Sequence, residues 1–70
     1  MKLDFTDHAK ARLLERSIST EKLKSTILKP DALVHKENGR IVAVKHFGDS
    51  DLKVVYKKVA GRFIVITVIN

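Results

Sequence analysis

The sequence lacks cysteine and tryptophan, and among its 70 residues it has one proline and three glycines. Without cysteine, disulfides and cysteine-ligated zinc are excluded. No run of residues approaches the roughly 20 apolar positions of a membrane-spanning helix, and no signal-peptide core follows Met1. We therefore expect one complete domain, residues 1–70, in the cytoplasm and without contact to a membrane.

Several classes of site are also missing from the sequence. The glycines are isolated, so there is no glycine-rich phosphate loop. The carboxylates are scattered, which argues against a glycosidase pair and against a two-metal cage. The three histidines do not have the spacing of a zinc site, and no Ser-His-Asp motif occurs. We expect neither a cofactor nor a bound metal.

The charge is strongly positive. Fourteen Lys and Arg residues against eight Asp and Glu give a net charge of +6, with a pI near 9.9. A small protein with this charge favours nucleic acid such as RNA, an acidic protein or an anionic membrane surface as its partner. The alternative is that the net charge serves only to keep a basic protein soluble and has no role in binding a partner. A domain of this size is expected to be a monomer or a homodimer.

The first half of the chain predicts a helical hairpin over residues 7–29. Thr6 is a good N-cap, so a helix is expected over residues 7–16, entered directly from the first residues of the chain. Ser19 or Thr20 can cap a second helix. Pro30 ends this helix, because the residue before a proline avoids the α region.

After Pro30 the apolar period changes to two, and β-branched residues dominate over residues 32–69. This pattern predicts four strands, at 32–37, 40–47, 52–59 and 62–69. Asn38-Gly39 and Ala60-Gly61 are expected to form two-residue turns. Short connections of this kind indicate an antiparallel meander. The predicted fold class is α+β, with two N-terminal helices packed on a four-stranded antiparallel sheet.

The expected turns also set the register, and through it the two faces of the sheet. The face that we expect beneath the helices holds Leu33, Val42, Val44, Val55, Ile64, Ile66 and Val68. The other face holds Val34, Ile41, Lys45, Phe47, Val54, Tyr56, Phe63, Val65 and Thr67. Apolar surface on this second face would suit a binding surface or a dimer contact.

The first helix carries the main candidate site. His8, Arg12 and Arg16 recur every four residues and share one face. An imidazole titrates near neutral pH and can act as a general base or acid, while guanidinium groups match phosphate oxygens. Thr67 interrupts an otherwise apolar last strand, and its hydroxyl can orient His8. The alternative is a surface histidine with arginines that pair with nearby carboxylates.

A second candidate set consists of residues that could contact nucleic acid. The set combines lysines on the second and third predicted strands with a tyrosine and with an arginine at the start of a strand. Its members are Lys45, Lys53, Tyr56, Lys57 and Arg62. Lysines on strands also protect sheet edges, and a strand tyrosine often half-fills a core. Both interpretations remain open at the level of the sequence.

The block Phe5-Thr6-x-His8-Ala9-x-x-Arg12-x-x-Glu15-Arg16-x-Ile18 resembles a prokaryotic family known as domain of unknown function 4258. The segment from Val54 to the final Ile66-Thr67-Val68-Ile69 is similar to the end of that family. The resemblance implies two helices followed by a four-stranded antiparallel sheet. This arrangement is similar to RelE-type and colicin-type ribonuclease toxins, which cleave RNA without metal. The late tyrosine of the RelE pattern is not reproduced, since the only tyrosine is Tyr56, so a histidine-centred variant is implied.

These features lead to a hypothesis of a metal-independent endoribonuclease that uses the 2′-hydroxyl of RNA in a transesterification. It would be the toxin of a toxin–antitoxin pair, with His8 as base or acid, Arg12 and Arg16 on the scissile phosphate, and Thr67 or Tyr56 as a supporting hydrogen-bond partner. Two alternatives stay open, a non-catalytic nucleic-acid-binding module and a protein-interaction module.

Overall fold

The structure is a computed structural model that describes residues 1–70. It contains two helices and five strands. In chain order these are β1 (Lys2–Phe5), α1 (Asp7–Glu15), α2 (Thr20–Leu28), β2 (Ala32–His35), β3 (Ile41–His46), β4 (Asp51–Val59) and β5 (Arg62–Ile69). The chain is therefore an α+β protein, as the sequence predicts.

The sheet differs from the prediction in its first strand. Its order is β1-β5-β4-β3-β2, and β2 to β5 form the expected antiparallel meander. β1 is an additional strand that runs parallel to β5, with Leu3 opposite Phe63. The prediction of four antiparallel strands is therefore wrong, because the sheet has five strands and is mixed. Alternating charged and apolar residues in β1 match a half-buried strand, which covers part of the outer edge of β5.

Both helices begin at the caps that the sequence indicates. The Thr6 hydroxyl accepts a hydrogen bond from the Ala9 N–H at 3.1 Å, and the Ser19 hydroxyl accepts one from the Lys22 N–H at 3.2 Å. Each bond satisfies a backbone donor that the helix start leaves free. Each helix has nine residues, and no helix has the length and apolar character needed to cross a membrane.

The helices cover one face of the sheet and form the core with it. α1 packs on β5 and β1, while α2 packs on β4 and β3. The buried apolar residues are Ala9, Leu23, Ile27, Ala43, Leu52, Val54, Tyr56, Val65 and Val68. Thr26 is also fully buried, and its hydroxyl donates to the Lys22 carbonyl at 2.8 Å. No buried side-chain polar atom lacks a partner.

The predicted faces are exchanged in β3, in β4 and in the first part of β5. Val54, Tyr56 and Val65 lie in the core beneath the helices, although they were expected on the opposite face. Val55 pairs with Val42 and lies on the uncovered face. Both faces are rich in β-branched residues, so apolar content does not identify the covered one. The aromatic rings do identify it, because all of them pack with the core.

The turn at Asn38-Gly39 has the predicted conformation but not the predicted register. Asn38 and Gly39 have φ of +62° and +73°, as a type I′ turn requires. However, the N–H of Lys36 donates to the Arg40 carbonyl at 2.7 Å, so Glu37 is an extra residue. The resulting shift of one position relative to β3 offsets the exchange in that strand, so Leu33, opposite the buried Ala43, lies on the helix side as predicted.

A β-bulge in β5 produces a second change of face. Tyr56 pairs with Val65 and Val55 pairs with Thr67, which leaves Ile66 without a partner across the ladder. The extra residue reverses the alternation. Val68 therefore enters the core, and Thr67 shares the uncovered face with Val55.

Candidate functional site

The N-terminal part of α1 is fastened to the outer edge of β5. β1 covers this edge only as far as Val65. Beyond that point the Thr6 hydroxyl donates to the Ile66 carbonyl at 2.7 Å, and Arg12 Nε approaches the Val68 carbonyl at 3.4 Å. These contacts satisfy carbonyl groups that an open sheet edge leaves free, and they hold α1 beside the bulge.

His8 and Thr67 meet at this position, although 59 residues separate them in the chain. The distance from His8 Nε2 to Thr67 Oγ1 is 2.9 Å. Nδ1 has no hydrogen-bond partner in the protein. If Nε2 carries the proton and donates it to the hydroxyl, Nδ1 has a free lone pair. The imidazole is exposed, so this lone pair faces solvent and any molecule bound at the surface.

Arg12 and Arg16 follow His8 along the same face of α1, and the three residues form a row. Neither is part of an ion pair, since the two ion pairs of the protein join His46 to Asp51 and Arg62 to Asp4. Arg12 is half-buried, whereas Arg16 is exposed at the C-cap. The structure thus brings His8, Arg12 and Thr67 together around the end of β5, with Arg16 one turn farther along.

The site is a ridge and not a cleft. Three concavities occur on the surface, and His8 lines none of them. An exposed site of this kind suits a polymer that lies across the surface better than a small molecule, which is normally bound in a concave pocket. No group of three or more His, Cys, Asp or Glu residues is arranged to hold a metal ion.

The second candidate set is divided between the two faces of the sheet. Lys45 lies on the helix side, where its Nζ donates to the Lys29 carbonyl at 2.8 Å. Tyr56 is buried at 4% exposure, and burial raises the pKa of its phenol. Lys53, Lys57 and Arg62 lie on the uncovered face. Because Tyr56 is inaccessible, it cannot stack on a base or reach His8. Its burial contradicts the prediction that it contacts nucleic acid or supports the site.

The uncovered face has an apolar centre and a cationic border. Its centre is formed by Val42, Val44, Val55 and Ile64, which are half-buried without a helix above them. The register places basic side chains around them, namely Lys2, Lys36, Arg40, Lys53, Lys57 and Arg62. Arg62 forms an ion pair with Asp4, which lies on the same face. No aromatic ring lies on this face, since all four pack with the core.

A separate cluster of titratable groups joins β3 to β4. His46 Nδ1 lies 2.6 Å from Asp51 Oδ1, and the His46 N–H donates to Asp31 Oδ2 at 2.7 Å. The hydrogen bond and charge of Asp51 raise the pKa of the His46 imidazole. The backbone hydrogen bond lowers the pKa of the Asp31 carboxyl. The cluster fixes the start of the turn between the two strands.

We predict that Asp51→Asn lowers the pKa of His46 towards 6.5, because the carboxylate that favours the imidazolium is lost. A raised pKa in the folded state stabilises the fold below pH 6.5, and this contribution disappears as the pH rises through the folded-state value. An NMR titration of the imidazole measures the pKa. An unchanged titration midpoint in the variant would contradict the assignment.

The comparisons with known proteins agree with the motif around His8. The sequence model of the family described as "Domain of unknown function (DUF4258)" matches residues 5–70. The chain belongs to this family. The match begins at Phe5, so it includes the whole row on α1 and the whole of β5. No curated protein and no solved structure matches the chain. Membership of DUF4258 confirms the resemblance noted in the sequence, whereas similarity to RelE-type or colicin-type toxins stays a prediction.

The sequence did not identify two side chains that lie near Arg16. Lys22 Nζ is 5.2 Å from the centre of the Phe47 ring, and both residues border the same cavity as Arg16. Lys22 falls in the first turn of α2, but no sequence pattern shows that this turn faces the end of β3. Only the packing of α2 on the sheet brings these residues together.

Proposed function

We propose that this member of DUF4258 is a metal-independent endoribonuclease and the toxin of a toxin–antitoxin pair in the cytoplasm. The observation that carries the proposal is the hydrogen bond between His8 Nε2 and Thr67 Oγ1, beside the unpaired Arg12. A base held by an orienting group next to a cation is the arrangement that phosphodiester cleavage needs.

In the proposed reaction His8 Nδ1 takes the proton of a ribose 2′-hydroxyl. The 2′-oxygen forms a bond to phosphorus, and the bond from phosphorus to the 5′-oxygen breaks. The leaving 5′-oxygen takes a proton from water, and the hydroxide that remains takes the proton back from the His8 imidazolium, which restores the base. The products are a 2′,3′-cyclic phosphate and a 5′-hydroxyl. Thr67 acts here as a positioning residue, because its hydroxyl oxygen accepts a hydrogen bond from the Nε2–H group in this mechanism and so fixes the tautomer of the ring.

Arg12 supplies the charge that the phosphorane requires. Its Nε is directed to the Val68 carbonyl, which leaves both terminal nitrogens free for phosphate oxygens. Residues four apart on a helix are neighbours, so Arg12 and His8 can reach one phosphate. Arg16 is about 12 Å from His8 along the helix axis, at about 1.5 Å per residue. It is therefore suited to a neighbouring phosphate of the same strand.

The direct test is incubation of the purified protein with a panel of RNAs in EDTA. We expect fragments that end in 2′,3′-cyclic phosphate, identified by mass spectrometry, and no cleavage of DNA of the same sequence. Protein that binds RNA with steep salt dependence but never cleaves it would support the non-catalytic alternative instead.

The uncovered face of the sheet favours an acidic protein as the partner, which fits the antitoxin part of the proposal. Its apolar centre offers surface that a partner can bury, and its cationic border would repel a second copy of the chain. Stacking platforms for RNA bases use aromatic side chains, and this face has none.

A pull-down with the tagged protein from its own cells tests the position of this partner. An acidic protein should be recovered with the wild type and with Leu14→Asp, which changes a residue that is 83% exposed on α1. It should be lost with Val42→Asp, provided that circular dichroism shows a folded variant. Recovery that is equal for all three proteins would place the partner elsewhere.

A further inference from the structure

A small cavity lies where the end of α1, the start of α2 and the turn after β3 meet. Its volume is about 80 Å³, and its polar lining is formed by Arg16, Ser17, Lys22, Ser50 and Asn70, with Phe47 as one wall. Two of these side chains are cationic, and no Asp or Glu side chain contributes to the lining. Hydroxyl groups and basic side chains in one concavity are the groups that bind phosphate.

The ammonium group of Lys22 is held at this cavity by the Phe47 ring, whose centre is 5.2 Å from Nζ. A cation at this distance from a ring face is attracted by the π system. Phe47 is in turn packed against the core. Lys22 is therefore positioned by an aromatic wall, whereas Lys24 is an exposed lysine of the same helix without an aromatic contact.

Several carbonyl groups at the end of α1 are occupied by hydrogen bonds. The Arg12 carbonyl accepts from the Arg16 N–H at 3.0 Å, and the Leu14 carbonyl accepts from the Ser17 N–H at 3.3 Å. Helix C-termini repel anions through carbonyls that lack such partners, so these bonds weaken that repulsion. The charged side chains in the lining are Arg16 and Lys22, and both attract an anion.

We propose that this cavity binds a second phosphate of the RNA strand that His8 would cleave, and its role in cleavage rests on the proposed function. Phosphates in a stacked strand are about 3.4 Å apart along the axis, and they are farther apart in an extended one. The separation of about 12 Å between Arg16 and His8 therefore places this phosphate three to four nucleotides from the cleaved bond in a stacked strand, and fewer in an extended one. The lining offers groups that bind phosphate oxygens, so the cavity would read the backbone and not the sequence.

The first experiment is a titration with inorganic phosphate followed by amide NMR. The signals of Ser17 and Ser50 should move in the wild type and in Lys24→Gln, which changes an exposed residue of the same helix. They should stay fixed in Lys22→Gln. Movement that is the same in both variants, or no movement in the wild type, would overturn the proposal. If a hexaglutamate peptide moved the same amide signals as far as phosphate does, the proposal would also be overturned, since the site would then bind any anion.

The second experiment measures binding of labelled hexadeoxyuridylate, which has no 2′-hydroxyl and cannot be cleaved. Lys22→Gln should weaken binding about tenfold, the expected effect of one hydrogen bond to a charged group. It should also lower the slope of the salt dependence by about one. Lys24→Gln should change neither quantity. Equal losses in the two variants would show only a general effect of charge.

The two proposals can fail separately. If the wild type cleaves no RNA but Lys22→Gln selectively loses phosphate and hexadeoxyuridylate, the cavity is a phosphate site and the nuclease proposal is wrong. If RNA is cleaved through His8 while Lys22→Gln and Lys24→Gln behave alike, the nuclease proposal stands and the cavity proposal is wrong.

Discussion

Replacing His8 by alanine is expected to lower the rate of RNA cleavage by about 10²–10⁴-fold, the usual contribution of a general base. The variant should fold normally, because His8 is exposed and its one hydrogen bond joins it to Thr67. Single-turnover cleavage with saturating protein measures the chemical step. RNA binding should persist in the variant, since the arginines and lysines that contact phosphates remain.

The matched control is His35→Ala. His35 is also exposed, but it lies on β2 at the opposite edge of the sheet from α1. Its removal should leave the rate unchanged. If both histidine variants cleave as fast as the wild type, His8 is not the base and the proposed mechanism is wrong. A loss that is equal in both variants would point to an effect on folding or charge.

The role of Thr67 is tested by the same assay. Thr67→Val keeps the β-branched shape and removes the hydroxyl, so the imidazole loses the group that fixes its tautomer. We expect a loss of tenfold or less, the value of one neutral hydrogen bond, and recovery of most of it in Thr67→Ser. A purely structural role predicts no recovery with serine, since the smaller side chain packs less well.

The elements of the fold that depend on local signals could be predicted from the sequence. Thr6 and Ser19 each accept a hydrogen bond from the helix that they precede, and a cap of this kind acts within four residues. Gly61 supports a tight turn for a similar reason, since its φ is +78°. Such signals act through neighbours in the chain, so no tertiary contact is needed to interpret them.

The features that depend on distant contacts could not be predicted in this way. Lys2–Phe5 forms β1 because it pairs with the edge of β5. The alternation of charged and apolar residues in this segment is visible in the sequence, but it does not show which strand the segment pairs with. The bulge at Ile66 has no local sequence signal, and it decides which face Thr67 occupies. The contact between His8 and Thr67 depends on both features, because β1 brings α1 to the edge of β5 and the bulge sets the orientation of Thr67 at that edge.

The core beneath α2 provides the largest expected effect on stability, in the variant Leu23→Ala. Leu23 is fully buried between α2 and the sheet, so its truncation removes apolar contacts and leaves a cavity. Such changes lower the free energy of unfolding by about 2–5 kcal/mol. At roughly 0.05–0.15 kcal/mol per residue, a domain of this size has about 3.5–10 kcal/mol in total, so the loss is a large share of its stability. The variant should therefore unfold at a much lower temperature and a much lower urea concentration than the wild type.

The same substitution at Leu14 is the internal control. Leu14 is 83% exposed and also lies on a helix, so Leu14→Ala has nearly the same effect on helix propensity but removes no core contact. We expect its free energy of unfolding, measured by urea titration, to stay within about 0.5 kcal/mol of the wild type. Comparable losses in the two variants would mean that α2 does not pack on β3 and β4 as described. The covered face of the sheet would then be in question, and with it the uncovered face assigned to the acidic partner.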